Sequence, residues 1–535
     1  MLCLKCLQHF KKFYTIIAQL ALHIVAIETD IYYTVELDHH PSITPEIMAK
    51  HAILPPLTID CLEEILNNLL DNKGSLYSCA LVNRTWSRLA IPLIWYNPFF
   101  DKLSKSQIKT IFELYSSCMP EELIHVRVGK KYFPKKTKKP LFDYVKCLRG
   151  IDWSNFLSAI CSWIDTFYPT DRERTNFFDH FIGSLLTRCN GLRVLTLKDE
   201  VDEEYMHYLI NYTNFHLLFS KLETFEIQFN LDMRRHVYIP HLLSQLSSCS
   251  HKIQHMKLHI GAHIPLETYE ACWNLIGVQR NLKNLQIWNY EETDLFYSRL
   301  ATQSRSLTSL NINADLELRT LLPFLMNCKN LETLELWKIP VVDMESLLCF
   351  SNSSTNLPIR RIICHGWAQD IEDVTISMSM LICMTNHNLR EFYLYKESVT
   401  QKLLDVICQN CPNLTDLYLS FNALSLENVS CLSRLPLRSL GMVNRDAKSY
   451  SIELLRQIAS SLPSTIDDLE VNFGCTSQGL QYFLANFGGK MRKFTFGRTG
   501  IGDQYLEVII HYAKTKKSLQ EFRYPQMAFN FKPRA

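Results

Sequence analysis

The chain has 535 residues, of which 47% are hydrophobic, and its formal net charge is +2 at pH 7. This length and composition allow a long buried core, built either as one elongated array or as several globular domains. The small net charge gives no global attraction to nucleic acid or to anionic membranes. The 18 cysteines are too scattered for a short secreted framework, so we expect reduced thiols and a location in the cytoplasm, the nucleus or both.

Residues 1–53 form an N-terminal extension with an apolar stretch from Phe13 to Ile27. As a helix this stretch would rise about 22 Å, short of the roughly 30 Å hydrocarbon core of a bilayer, so we expect no membrane span. Thr15, Gln19 and His23 recur every four residues and would form one polar stripe on such a helix. The pattern favours a packed or poorly ordered extension, and a signal peptide or membrane anchor is the alternative.

Residues 54–99 have the pattern of three short helices. Asp60 followed by Glu63 is typical of a capped helix start, and apolar residues then recur at helical spacing. So short a segment cannot bury a sufficient core by itself, and its apolar surplus therefore indicates a surface for a partner.

The apolar and aromatic positions of this segment resemble those of an F-box, the helical module that binds a Skp-type adaptor in cullin-based ubiquitin ligases. One departure is that Thr58 stands where an F-box usually has Pro, while Leu54-Pro55 lies three residues earlier. Either the loop that opens the module is longer here, or this segment binds the adaptor more weakly. The alternative is an ordinary helical cap over the first repeat. The adaptor-binding residues that the resemblance implies are Leu57, Leu62, Ile65, Leu69, Leu76, Val82, Trp86, Leu89, Ile94 and Trp95.

Residues 100–185 are predicted to be a helical linker that includes imperfect early repeats and caps the open end of an array. Within it, six lysines occur between Lys130 and Lys139 without an acidic residue. A solvated loop is the favoured interpretation, and a nuclear-import signal is the alternative.

Residues 186–535 repeat the phrase apolar-x-x-apolar-x-apolar thirteen times. The mean spacing, about 27 residues, falls in the leucine-rich-repeat range. Each phrase alternates as a strand does, and the segments between phrases have helical spacing. We therefore predict an α/β fold, a leucine-rich-repeat solenoid with a concave parallel β-sheet and convex helices, preceded by a small all-α F-box-like domain. The phrases begin at Leu192, Leu222, Ile253, Leu282, Leu307, Leu331, Ile359, Leu389, Leu414, Leu437, Ile466, Met491 and Leu519.

Cysteine chemistry and catalytic motifs add little to this prediction. Cys189, Cys328 and Cys411 precede strands and resemble the cysteine-containing class of leucine-rich repeats, in which the thiol is a small buried hydrophobe. The two-gap pairs Cys3–Cys6 and Cys408–Cys411 lack a second pair at zinc-ligand spacing. Phosphate-loop, dinucleotide and nucleophile-elbow motifs do not occur. We therefore predict no catalytic residue, no cofactor and no metal.

An F-box followed by leucine-rich repeats is the layout of F-box/leucine-rich-repeat substrate receptors. The resemblance implies a non-catalytic subunit of a Skp–cullin–F-box ubiquitin ligase, in which the F-box binds the adaptor, and through it a cullin, while the repeats bind a protein substrate. The alternative is a repeat scaffold or regulatory module that acts without ubiquitination. Neither implies binding of nucleic acid.

The outward positions of the strands predict where a substrate binds. In each strand, the residue between the last two apolar positions and the residue just after them point toward the concave face. In repeats four to nine these positions carry large rings, which are common at interface hot spots. We predict a recognition patch here, with Glu332, Glu335, Arg360 and Arg361 beside it for electrostatic selectivity. The alternative is that loops or C-terminal segments of the chain cover these rings. The patch consists of Trp288, Trp337, His365, Tyr393, Tyr395 and Tyr418.

Overall fold

The structure is a computed structural model in which the chain divides into two compact units, Met1–Asn190 and Gly191–Ala535. The predictions for the extension 1–53, for Leu57 and for the lysine run 130–139 lie outside the described residues. The structure describes residues 58–70, 72–119, 140–165, 171–198, 203–228, 238–259, 265–288, 294–313, 318–338, 340, 356–366, 371–421, 429–444, 449–497, 502–524 and 527–530.

Helices make up most of the described part of the first unit. In chain order its elements are α1 (Ile59–Asn67), α2 (Lys73–Ala80), α3 (Arg84–Ile94), α4 (Lys105–Cys118), β1 (Gly150–Asp152), α5 (Trp153–Ile164) and α6 (Asp171–Arg188). The first three are the short helices that the sequence predicts.

Short polar side chains begin these three helices. Thr58 Oγ1 accepts a hydrogen bond from the Cys61 N–H at 3.3 Å, and Asn72 and Asn83 cap α2 and α3 in the same way. The predicted helix start at Asp60 is wrong, because Thr58 is the N-cap residue and Asp60 lies in the first turn. The residue that departs from the F-box pattern thus has a structural role, since proline has no side-chain acceptor for such a cap.

Two apolar clusters hold the described helices of the first unit together. In the first, Trp86 and Trp95 pack against the core of α1 to α3, which consists of Leu66, Leu76, Ala90 and Ile94. In the second, aromatic rings join α4 and α5. The rings of Phe112 and Trp163 stack there with centroids 5.1 Å apart.

Strands and helices alternate through the second unit. Its strands are β2 (Val194–Lys198), β3 (Thr224–Gln228), β4 (His255–His259), β5 (Asn284–Trp288), β6 (Ser309–Asn313), β7 (Thr333–Leu336), β8 (Arg361–Cys364), β9 (Glu391–Ser398), β10 (Asp416–Phe421), β11 (Ser439–Asn444), β12 (Asp468–Asn472), β13 (Lys493–Phe496), β14 (Glu521–Tyr524) and β15 (Met527–Asn530). Its helices are α7 (Glu203–Ile210), α8 (Phe215–Phe219), α9 (Tyr238–Cys249), α10 (Leu266–Gly277), α11 (Asp294–Ala301), α12 (Leu318–Asn327), α13 (Ile371–Thr385), α14 (Gln401–Asn410), α15 (Ile452–Ser461), α16 (Ser477–Asn486) and α17 (Asp503–Lys516).

Strands β2 to β14 lie side by side in chain order and run parallel, and β15 pairs antiparallel with β14. Each parallel strand begins two residues after the start of one sequence phrase, as Thr333 follows Leu331. Thirteen phrases therefore form thirteen strands. The predicted α/β leucine-rich-repeat solenoid is confirmed.

Alternate residues of each strand enter the core. In β7, Leu334 and Leu336 are buried, whereas Thr333 and Glu335 are partly exposed. We call the face of the sheet formed by such partly exposed residues the open face. The cysteines before the strands lie on the buried side, and burial raises the pKa of the Cys328 thiol to about 12. The predicted role of these thiols as small buried hydrophobes is therefore confirmed.

Buried amide side chains link neighbouring repeats. Gln279 Nε2 donates to the carbonyl oxygens of Ser250 and Leu275, each at 2.8 Å, and its Oε1 accepts from the Ile253 N–H at 3.0 Å. In the next repeat, Gln303 Nε2 donates to the Gln279 carbonyl oxygen at 2.9 Å. These amides satisfy backbone groups that would otherwise be buried without a partner.

Candidate functional site

The six side chains of the predicted patch lie on the open face, on strands β5 to β10 or directly after them, and β6 contributes none of them. Trp288 ends β5, Trp337 directly follows β7, and His365 directly follows β8. Tyr393 faces Tyr418 of β10 in the parallel register. All six predicted residues, including Tyr395 in β9, are partly exposed.

Five of these side chains form a continuous row of ring contacts, and His259 extends it by one strand. We call this set the aromatic row, and Tyr393 borders it at 6.2 Å from Tyr395. Such ring pairs contribute roughly 0.5–1.5 kcal/mol each beyond area burial. The centroid distances are 4.8 Å for His259–Trp288, 4.5 Å for Trp288–Trp337, 4.2 Å for Trp337–His365, 5.0 Å for His365–Tyr395 and 4.5 Å for Tyr395–Tyr418.

His259 is not among the residues predicted for the patch. It stands directly after the last apolar residue of its phrase, in the position that Trp288 occupies one repeat later, and the two residues face each other in the register. The same positional rule would have found it.

The contact between Trp288 and Trp337 crosses an intervening strand. Strand β6 lies between their strands, and its residue level with Trp288 is Asn313. Neighbouring strands are about 4.8 Å apart, so rings two strands apart must lean toward each other to bring their centroids within 4.5 Å. The short Asn313 side chain leaves room for both indoles.

Two glycines permit close approach at this surface. Gly441 on β11 faces Tyr418 in the register, and a Cβ atom there would overlap the tyrosine ring. Gly366 directly follows His365, and a Cβ atom on it would overlap the Trp337 carbonyl group and Lys338 Cα. Both glycines therefore shape the aromatic row without contributing a side chain.

Charged side chains are paired beside the rings. His365 Nε2 donates to Glu335 Oε1 at 2.9 Å. The Arg361 Nε atom lies 3.1 Å from Glu391 Oε2, and the same guanidinium lies 5.4 Å from the centroid of the Tyr393 ring. This arrangement holds one cation between a carboxylate and an aromatic face.

The four charged residues predicted to flank the patch lie on β7 and β8 or next to them. Glu332 and Arg360 directly precede these strands, and Glu335 and Arg361 lie within them. Glu332 pairs with Arg360 across a distance of 3.8 Å, and both side chains are more than half exposed. Glu335 and Arg361 lie nearer the rings, through the contacts with His365 and Glu391. Because exposed pairs are screened by water, the inner two charges are the stronger candidates for selectivity.

Burial alters the titration of several groups at this surface. Desolvation raises the pKa of the Tyr393 hydroxyl, and the nearby Glu391 carboxylate adds to that shift. Desolvation also raises the pKa of the Glu470 carboxyl, with a further contribution from Asp468, while a hydrogen bond from Tyr418 opposes it. Carboxylates at this surface thus lose part of their hydration, and the hydrogen bonds and nearby cations do not fully compensate for that loss.

The predicted adaptor-binding residues divide into two groups by exposure. Leu62, Leu76 and Ile94 are buried, and Leu76 and Ile94 belong to the helix core, so they hold the three helices together. The other described members are partly exposed, namely Ile65, Leu69, Val82, Trp86, Leu89 and Trp95.

Four further apolar side chains in this segment are exposed and were not among the predicted contacts. Leu81, at the end of α2, is 86% exposed, and Tyr77 is 55% exposed. Ile59 and Leu70 are also exposed. An open cleft of about 430 Å³ beside α2 is lined by Tyr77, together with residues of α3 and α4.

In the part of the chain that the structure describes, no group of three or more His, Cys, Asp and Glu side chains is placed to hold a metal ion. Of the helices that the structure describes, none is long and apolar enough to span a membrane.

Comparison with protein-family models finds no match, and comparison with curated protein sequences finds none either. Solved structures do match. One is a chain from a crystal structure of a TLR13–ssRNA13 complex, with 14% sequence identity and a TM-score of 0.27. The match covers 71% of this chain and 51% of that chain, so this chain spans about half the length of that protein. The repeat assignment of the second unit rests on its own strand register and spacing.

Proposed function

We propose that this chain is the substrate-recognition subunit of a Skp–cullin–F-box ubiquitin ligase. The second unit is a leucine-rich-repeat array, and such arrays present an extended sheet face as a protein-binding scaffold. The observation that supports substrate binding is the aromatic row on the open face, because partly exposed Trp and Tyr side chains supply large contact area at low entropic cost.

Adaptor binding is proposed for helices α1 to α3. Their sequence resembles the F-box pattern, and they keep apolar side chains exposed at Tyr77 and Leu81 although their own core is complete without them. Exposed apolar residues close together favour a partner surface. Bound through the adaptor to a cullin, in the cytoplasm or the nucleus, the chain would contribute proximity between substrate and ubiquitin-charged enzyme and no catalytic group of its own.

The test is capture of a purified Skp-type adaptor by the full chain and by two matched variants. Leu81→Asp introduces a charge at the proposed contact, whereas Leu141→Asp introduces the same charge at a leucine that is equally exposed, at 87%. We expect loss of adaptor capture from the first variant alone, because burying an unpaired carboxylate in an interface costs several kcal/mol.

The second candidate function is a repeat scaffold that binds proteins without ubiquitination. Thr58, in place of the usual proline at the opening of an F-box, is the observation that favours it. Failure of the wild-type chain to capture the adaptor would select this alternative.

A further inference from the structure

The open face carries an excess of acidic side chains along the strands that hold the aromatic row. At the described open-face positions of β7 to β12, five carboxylates occur with one arginine, and one of the carboxylates, Asp468, pairs with Lys493 of β13 at 3.6 Å. The arginine is Arg361, and the carboxylates are Glu335, Glu391, Asp416, Asp468 and Glu470.

Earlier strands of the array do not share this excess. On β3 and β4, Glu226 is matched by Lys257, whose Nζ donates to Glu226 Oε1 at 2.9 Å. The negative charge therefore accumulates where the rings are, although the whole chain has a net charge of +2. A local field of this sign attracts cations and repels phosphates.

The surface already contains an example of how it holds a cation. The Arg361 guanidinium lies against the Tyr393 ring while its Nε contacts Glu391. Tyr418 on β10 and Glu470 on β12 present the same two groups, a tyrosine ring beside a carboxylate, and they are hydrogen-bonded to each other. No arginine is among the residues that face them in the described register of β10 to β12, and the charge of Arg523, on β14 two strands beyond Glu470, acts on that carboxyl from a distance.

The size of this surface limits the length of the ligand. Five strands from β8 to β12, spaced by about 4.8 Å, span roughly 19 Å, which matches about six residues of an extended peptide. Arginine and lysine side chains on such a peptide reach ring faces and carboxylates together.

We propose that the open face around Tyr395, Tyr418 and Glu470 binds an extended basic segment of a partner protein, with arginine or lysine side chains placed between the rings and the carboxylates. This inference rests on the proposed function, because it assumes that the open face is the substrate-binding surface. The raised pKa of Glu470 agrees with it, since a bound cation would restore stabilisation that the carboxylate loses by desolvation.

The probe is a fluorescently labelled peptide of about eight residues, alternating arginine and serine, and its counterpart with glutamate in place of arginine. Binding to the full chain is measured by anisotropy at two salt concentrations. We expect the basic peptide to bind and its Kd to rise with salt, and the acidic peptide not to bind. Equal binding of both peptides, or no binding of the basic one, would overturn the proposal.

A variant and its matched control test whether a basic side chain of the peptide binds beside Glu470. Glu470→Gln keeps an oxygen that accepts from Tyr418 but removes the charge, and we expect it to weaken binding of the basic peptide about tenfold. Glu453→Gln is the matched control, because Glu453 lies exposed on α15 and pairs with Arg456 at 2.9 Å. Unchanged affinity in Glu470→Gln would place the cation elsewhere and contradict the inference.

Failure of this inference is distinguishable from failure of the proposed function. Suppose the variant Trp337→Ala/Tyr393→Ala loses the cellular proteins that the wild-type chain captures, while neither variant nor wild type binds the basic peptide. The open face is then the binding surface, and the ligand class is wrong. If the double variant keeps its captured proteins, the proposed surface fails as well.

Discussion

The ring of Tyr418 lies over the backbone of Gly441 on the next strand, where any side chain would overlap it. The hydroxyl group of the same tyrosine reaches the Glu470 side chain one strand further on. One residue thus spans three strands, and the glycine between them is required for it to lie flat.

Gly441→Ala should displace the Tyr418 ring and interrupt the end of the aromatic row. We expect a loss of about 1–3 kcal/mol in the free energy of unfolding, as for other overpacked sites, together with weaker substrate capture. Urea denaturation and a pull-down measure the two effects. Gly488→Ala is the control, because a Cβ atom there meets no other atom within 4 Å. Equal effects of both substitutions would show that the ring does not depend on Gly441.

Replacing Trp337 and Tyr393 by alanine removes the centre and the border of the patch. Substrate capture should weaken by at least about 2 kcal/mol, because truncated aromatic hot spots cost that much at interfaces, while adaptor binding is retained. Quantitative mass spectrometry of captured proteins checks the result. Tyr482→Ala on α16 removes a ring that is 42% exposed at another surface and should change nothing.

Glu470→Gln should stabilise the repeat array at neutral pH although it weakens the proposed binding. Burial raises the pKa of Glu470, so the folded chain holds this proton more tightly than the unfolded chain does. The contribution of this carboxyl to stability is therefore present below the unfolded pKa, about 4.3 for glutamate, and is lost as the pH rises through the higher folded value.

The measurement is urea denaturation of wild type and Glu470→Gln at pH 4 and at pH 7. The variant should gain stability relative to wild type between the two pH values, because it cannot lose a proton there. A relative loss over the same interval would mean that the carboxylate stabilises the fold and that its pKa is lowered.

Gln279→Ala should destabilise the array at the junction of two repeats. The substitution leaves buried backbone groups of Ser250, Ile253 and Leu275 without their partner, and each such group costs about 1–3 kcal/mol. Gln520→Ala, at an exposed glutamine, should change the free energy of unfolding by less than about 0.5 kcal/mol. Denaturant melts of both variants provide the comparison.

The amino-acid sequence by itself determined the positions of the thirteen repeat strands and which of their residues face outward. The reason is physical, since alternation along a strand is a local property and the repeat spacing carries it from one strand to the next. The aromatic patch could be predicted for the same reason, and His259 follows from the same rule.

Tertiary structure alone decided which of these side chains touch and which apolar residues of the first unit remain exposed. Trp288 and Trp337 meet across the short side chain of Asn313, and Tyr418 lies flat against the backbone of its register partner, Gly441. Leu81 is exposed while Leu76, five residues earlier, is buried. Contacts of this kind join residues that are distant in sequence or depend on how helices pack, and neither periodicity nor spacing encodes them.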